Sequence, residues 1–288
     1  NVATPHKYVA GETIPIEWFN WDTMGAAGAI ISSVHDMSRW LRAQLAGGEW
    51  GDTRFFTEAR QREMWSVVNP RAVTPQFQER YPSTRWRGYG MGWSLQDYLG
   101  HKVVSHGGGY DGMYSQVALV PDAGLGIVVL TNGMTGLAPA LIYRVLDTYL
   151  GGEERDWSAE ALPTWLASRE AFEARQTAAE RSRVSGTAPS LALGDYAGTY
   201  GGPMYGDAEV SLEDGGLVLR MAPAPGLVAD LEHLHHDTFI IRWRTTLAWF
   251  GQGTASFELD PMGAVHEMKL DVPNDDLWFY ELEMIRRR

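Results

Sequence analysis

The sequence predicts an α+β chain. An antiparallel sheet packed with helices is expected over residues 1–155, a helical connector and linker over 156–190, and an all-β, barrel-like region over 191–288. Three observations carry this reading. Residues Ser105 to Asn132, SHGGGYDGMYSQVALVPDAGLGIVVLTN, set β-branched runs against three glycines and a Pro-Asp-Ala-Gly turn. Apolar residues recur at helical spacing on both sides of that stretch. From Leu191 the texture changes to short β-like runs roughly 10 residues apart, separated by Gly, Pro and Asp.

Taken in order, Ser33 and Asp36 are spaced as a capping box, and Met37, Trp40, Leu41 and Leu45 follow as an apolar stripe that Gly47-Gly48 ends. Thr57 caps a second helix, Glu58 to Ser66. Three prolines make Asn69 to Trp86 an irregular loop. Tyr89 to Tyr98 reads as one strand, weakened by Gly90 and Gly92, with Tyr89, Met91, Trp93 and Leu95 on one face. It leads into a strand from His101 to a corner at Gly107–Gly109, and Gln116 to Val120 and Gly126 to Leu130 are two more strands.

A helix from Leu137 to Leu150 carries Leu141, Val145 and Tyr149 as its stripe, with Pro139 in the first turn. Trp157 to Arg183 is a charged helical run, and Val184 to Ser190 is a linker. Examples of the later strands are Gly198–Tyr200, Ala208–Leu212, Leu217–Met221, Thr238–Trp243, Ala255–Leu259 and Val265–Lys269, and His233 and His235 would share a strand face.

Composition narrows the function classes. A net charge of −12 lacks the basic face that nucleic acid requires. With no cysteine, neither a disulfide framework nor a cysteine-ligated zinc site is possible. No apolar run approaches the roughly 18 residues of a membrane span. The 12 tryptophans are read mainly as core packing.

Gly107 to Gly109 remove every Cβ beside His106, which lets a substrate lie against bare backbone and an N–H point at a reacting oxygen. His-Gly-Gly-Gly is also an oxyanion signature of lipase-type α/β-hydrolases, but no Gly-x-Ser-x-Gly elbow follows it here. His106-Gly107-Gly108, then Gly112 and the VALVPD…GIVVLTN pair, resembles the third active-site motif of the serine β-lactamase-like hydrolases. That superfamily includes penicillin-binding proteins, class C β-lactamases, D-aminopeptidases and esterases. The helix after Ser33 and the YGMGW text at 89–93 resemble the same family. LGDYAGTY and LEHLHHDTFIIRW resemble a β-domain of unknown function that trails many of its members, some lipocalin-like.

The resemblance implies a Ser-x-x-Lys nucleophile and a Tyr-x-Asn motif. Neither occurs: Thr4, Leu99 and His266 stand three residues before the only lysines, Lys7, Lys102 and Lys269. The chain is therefore expected to be the C-terminal portion of a larger hydrolase and inert alone. By the resemblance, His106 replaces the family lysine, Gly108 completes His-x-Gly, and Gly109 supplies an oxyanion-hole N–H. Gly107, Tyr110 and Asp111 are expected to line the substrate. Asn132 is read as a strand cap.

His233, His235 and His236 with Asp237 look like a metal cluster but are read as structural, so neither metal nor cofactor is expected. The implied reaction is acyl transfer from an amide or ester, such as a D-amino-acid peptide, a β-lactam or a small ester. The alternative is a non-catalytic module that binds a ligand or peptide. Partners are a small-molecule or peptide substrate, with oligomeric state open, and the family points to a periplasmic or secreted location.

Overall fold

Val103 and Val104 are both buried, yet they belong to different cores, because neighbouring residues of a strand face opposite sides of a sheet. The sheet that separates those cores has six strands in a computed structural model that describes residues 2–28, 30–274 and 276–287. Contacts divide the chain into two compact units, Ile30–Trp165 and a second made of Asn1–Ala29 with Leu166–Arg288.

In the first unit, helices α1 (Val34–Leu45) and α2 (Glu58–Met64) precede strand β1 (Asn69–Arg71), helix α3 (Pro75–Arg80) and strands β2 (Arg87–Tyr89) and β3 (Ser94–Tyr98). Strands β4 (His101–Tyr110), β5 (Met113–Val120) and β6 (Leu125–Thr131) follow, then helix α4 (Leu137–Leu150). The sheet order is β6-β5-β4-β3-β2-β1, with every neighbour antiparallel. Leu99 and Gly100 both take positive φ, +50° and +81°, which suits the two-residue turn from β3 to β4.

Ser33 caps α1 by accepting from the Asp36 N–H at 3.2 Å, and Thr57 caps α2 through the Arg60 N–H. On one face of the sheet Leu41 packs with Trp65, Trp93, Leu95, Val104, Val117 and Leu119. A Cβ on Gly126 would lie 3.1 Å from the Leu41 Cβ, so this glycine sets how closely α1 approaches β6. The other face buries Val103, Ala118, Val120 and Ile127 beneath Ile142 and Leu146 of α4. Asp147 is buried there and accepts from the Tyr98 hydroxyl at 2.5 Å and the Trp157 Nε1–H at 2.6 Å.

Four expectations change in this unit. The glycines form no corner: Gly107–Gly109 run extended within β4, and the turn comes at Asp111-Gly112. Tyr89 to Tyr98 is two strands, because Gly92 at φ +76° reverses the chain and Gly90 leaves room for the Met64 carbonyl. The loop at 69–86 contains β1 and α3, the latter capped by Thr74 with Pro75 in its first turn. The buried stripe of α4 is Ala138, Ile142 and Leu146, whereas Tyr149 is 71% exposed. That helix is apolar on two sides, and spacing alone does not select between them.

Helix α5 (Trp157–Arg181) contains Pro163, and the division between the units falls within it. The second unit holds strands β7 (Gly198–Gly202), β8 (Gly206–Glu213), β9 (Gly216–Met221), β10 (Val228–His235), β11 (Thr238–Trp243), β12 (Gly253–Leu259) and β13 (Val265–Asp271). They form a seven-stranded antiparallel meander in chain order. The C-terminal segment nearly closes it into a barrel. Gly201 donates to the Ile285 carbonyl and Arg287 to that of Thr199, while Met268 donates to the Met284 carbonyl and Arg286 to that of His266.

Tyr196, Tyr200, Phe239 and Phe257 fill the interior with edge-on ring pairs at 5.0–5.7 Å. Phe19 also packs in this unit, where a Cβ on Gly226 would meet its ring at 2.6 Å. The stretch expected as a linker is bonded to the barrel, since the Ser190 amide and hydroxyl both donate to Asp237 at 2.8 Å. Among the described residues, no helix is long and apolar enough to cross a membrane.

Candidate functional site

β3 begins at Ser94, opposite Ser105, so beyond Ser105 strand β4 is laddered on β5 alone. In an antiparallel pair, alternate residues point their N–H groups away from the partner strand. The segment 106–110 thus presents backbone donors along an open edge, and it is the segment that carries His106 and the glycines. Gly108 and Gly109 are exposed, as is His106.

The register explains the small residues. Gly107 faces Gln116, and a Cβ there would stand 2.6 Å from Gln116 Oε1 and 2.8 Å from the Tyr114 hydroxyl. A Cβ on Gly108 would approach the Ser115 Oγ to 3.0 Å. That hydroxyl donates to the Gly108 carbonyl at 3.3 Å. Burial pushes the Tyr114 phenol above its ordinary range, so it stays protonated beside the glycines.

His106 Nε2 and the Tyr89 hydroxyl share a hydrogen bond at 3.1 Å, from β4 across to β2. The Arg71 guanidinium lies over the Tyr89 ring, 5.2 Å from its centroid. The arrangement offers an oriented imidazole and exposed backbone along a strand edge. These are parts suited to binding and polarising a carbonyl.

His106, Gly107, Gly108, Gly109 and Tyr110 follow one another along this edge. Asp111, expected on the substrate rim, is 1% exposed. It occupies the β4–β5 turn with Gly112, whose φ is +76°. Tyr89 was missed as the histidine's partner, because reading 89–98 as one strand set it in line with Met91 and Trp93. The clue was present in Gly90 and Gly92, which permit the reversal that brings β2 beside β3.

His233 and the His236 amide are hydrogen-bonded within the second unit. His233 Nε2–H donates to the His236 carbonyl at 3.0 Å. Asp237 accepts from Ser190 and from the Tyr196 hydroxyl. Among the described residues, no group of three or more His, Cys, Asp or Glu is placed to hold a metal ion.

Comparison with known proteins gives two family matches. The β-lactamase family model matches residues 2–150, and a domain of unknown function, DUF3471, matches residues 182–284. An unguisins hydrolase of Aspergillus violaceofuscus is 28% identical over 274 residues, covering 86% of this chain and 47% of that protein. A second unguisins hydrolase, from Aspergillus campestris, is 29% identical over 201 residues, covering 67% of this chain and 35% of its own. Penicillin-binding protein 4 of Amycolatopsis lactamdurans is 29% identical over 136 residues, covering 46% and 33%. The chain thus spans about half, or less, of the length of the curated relatives it matches.

Among solved structures, the octameric penicillin-binding protein homologue from Pyrococcus abyssi aligns with 99% of this chain and 53% of its own. Its TM-score is 0.41 and its identity 19%.

Proposed function

The chain belongs to the β-lactamase family, and on that premise we propose that it forms part of a serine hydrolase acting through an acyl-enzyme on amides or esters. The observation that carries the reading is the open edge of β4, where His106 is held by Tyr89 beside three glycines. In the proposed reaction a serine hydroxyl adds to the substrate carbonyl, and the developing oxyanion takes a hydrogen bond from the Gly109 N–H. The bond to the amine or alcohol then breaks, that group leaves with a proton, and water cleaves the acyl ester.

His106 donates to the substrate's carboxylate or to the oxyanion, and Tyr89 keeps its ring in position. An aimed backbone donor of this kind is worth about 3 kcal/mol in the transition state. The serine and its lysine lie outside these residues, since no Ser-x-x-Lys occurs among them. A peptide carrying D-amino acids, a β-lactam or a small ester fits the chemistry, and the family reading favours a periplasmic or secreted setting.

The test is intact-mass analysis after treatment with a fluorophosphonate and with a penicillin, on this chain and on one extended upstream. A covalent adduct on the extended chain alone supports the proposal. An adduct on the 288-residue chain would reveal a nucleophile here and overturn it. Adducts on neither would favour a ligand-binding module.

A further inference from the structure

Arg71 and Arg87 stand directly opposite each other on β1 and β2. Like charges in that relation destabilise a strand pair. No carboxylate offsets them: among the described residues, neither guanidinium donates a hydrogen bond or pairs with an acid. Each instead rests its flat face on an aromatic ring, Arg87 on Phe77 at 3.9 Å and Arg71 on Tyr89 at 5.2 Å. Stacking occupies the plane of a guanidinium and leaves the N–H donors at its rim available for a bidentate acceptor.

Both arginines border a cavity of about 210 Å³. Its lining includes Val103 and Ser105 of β4, which face away from the side on which Val104 and His106 emerge. Helix α4 contributes Ile142, Leu146 and Tyr143, whose hydroxyl accepts from Gln96 at 2.8 Å. Ser94, Ser105 and Gln116 add polar atoms to the lining. The lining therefore combines a pair of guanidinium groups with neutral polar and apolar side chains.

We propose that this cavity is a second binding site, for a small organic acid. The carboxylate would sit between Arg71 and Arg87, and a short aliphatic tail would lie against Ile142 and Leu146. An unoffset pair of opposed charges is a local violation that sequences keep mainly where function uses it, and a bound carboxylate removes it. His106 and Gly107–Gly109 are not among the residues that line the cavity, although Arg71 stacks on Tyr89 and Gln116 faces Gly107. A binding titration reads the cavity alone, because it needs no acylation.

Calorimetric titration of the 288-residue chain with pentanoate tests the proposal. Saturable binding is expected, with pentanamide, which has the same tail and no charge, at least about tenfold weaker. The double substitution R71Q/R87Q should weaken pentanoate by about tenfold or more, and R71K/R87K by less. Arg244→Gln, a charge change on the barrel, should leave binding unchanged.

Absence of saturable pentanoate binding would overturn the site, as would pentanamide binding equally well. Inorganic phosphate binding as tightly as pentanoate would assign the arginines to oxyanions in general and overturn the organic-acid assignment. Both ligand comparisons use the unaltered chain, so they decide even if a variant misfolds.

Discussion

In the barrel, the buried hydroxyls of Tyr196 and Tyr200 are spent inside the fold: Tyr196 donates to Asp237, and Tyr200 to the Tyr196 carbonyl at 2.5 Å. Several of its outward charges are paired as well, Glu213 with Arg220 and Glu232 with both Arg183 and Arg242. The six-stranded sheet differs. Its open edge carries exposed His106, Gly108 and Gly109, and Arg71 faces Arg87 with no acid between them. Groups already bonded to one another hold a fold together. Groups left with spare donors at an edge or cavity are those available to a ligand.

The largest expected effect lies in the barrel interior. Phe239 is 1% exposed and contacts the rings of Tyr196 and Phe257. Phe239→Ala should cost about 3–5 kcal/mol in urea unfolding, as large-to-small core substitutions do. A loss below about 1 kcal/mol would mean the interior is not closely packed, and the contrast with the sheet would fail.

Asp147 is where the sheet behaves like the barrel. Removing its carboxylate in Asp147→Ala leaves Tyr98 and Trp157 as buried donors without their acceptor, at about 1–3 kcal/mol each. Asp147→Asn keeps one acceptor and should lose less. Equal losses in the two variants, measured by denaturant midpoint, would show that packing rather than hydrogen bonding governs this site.

Alkaline titration compares both regions at once. Burial, reinforced for Tyr196 by its bond to Asp237, raises the Tyr196 phenol to about 12, and burial raises Tyr200 to about 12. In the sheet, burial lifts Tyr98 and Tyr143 well above their ordinary value, and for Tyr98 the Asp147 bond adds to it. The unfolded chain releases these protons near pH 10, about two units earlier than the folded barrel. Between about pH 10 and 12 the native state binds more protons than the unfolded one, so stability must fall as pH rises. Below about pH 10 the contribution is complete. Phenolate absorbance that appears in one step near pH 10, with no slower class linked to unfolding, would contradict this.

The regions also differed in how far they could be read from sequence. The barrel's rhythm of short runs located six of its seven strands, and of Val228–His235 only the end was read as strand, at His233 and His235. Its alternation of Ala229 and Leu231 inward with Asp230 and Glu232 outward was masked by the histidines that follow. The closing role of Met284–Arg287 gives no local signal, since four residues reach two distant strands only once the meander exists. In the sheet, helix caps were legible because a cap is chemistry within three residues. The Tyr89–His106 bond and the opposed arginines were not, because each depends on the register of strands whose boundaries the glycines disguised.

His106 supplies the smallest expected change in stability. It is exposed, and its named bond is to Tyr89, so His106→Ala and Tyr89→Phe should each shift unfolding by no more than about 0.5 kcal/mol. In an upstream-extended chain the same substitutions should separate. Loss of the imidazole should slow acylation about a hundredfold or more if it acts on the reacting carbonyl. Loss of the Tyr89 hydroxyl should slow it less, because it orients the ring without touching substrate. If Tyr89→Phe were as damaging as His106→Ala, the phenol itself would take part in proton transfer. If neither slowed acylation, the open edge of β4 would be a binding surface without chemistry. The unfinished hydrogen bonding that distinguishes the sheet from the barrel would then serve recognition alone.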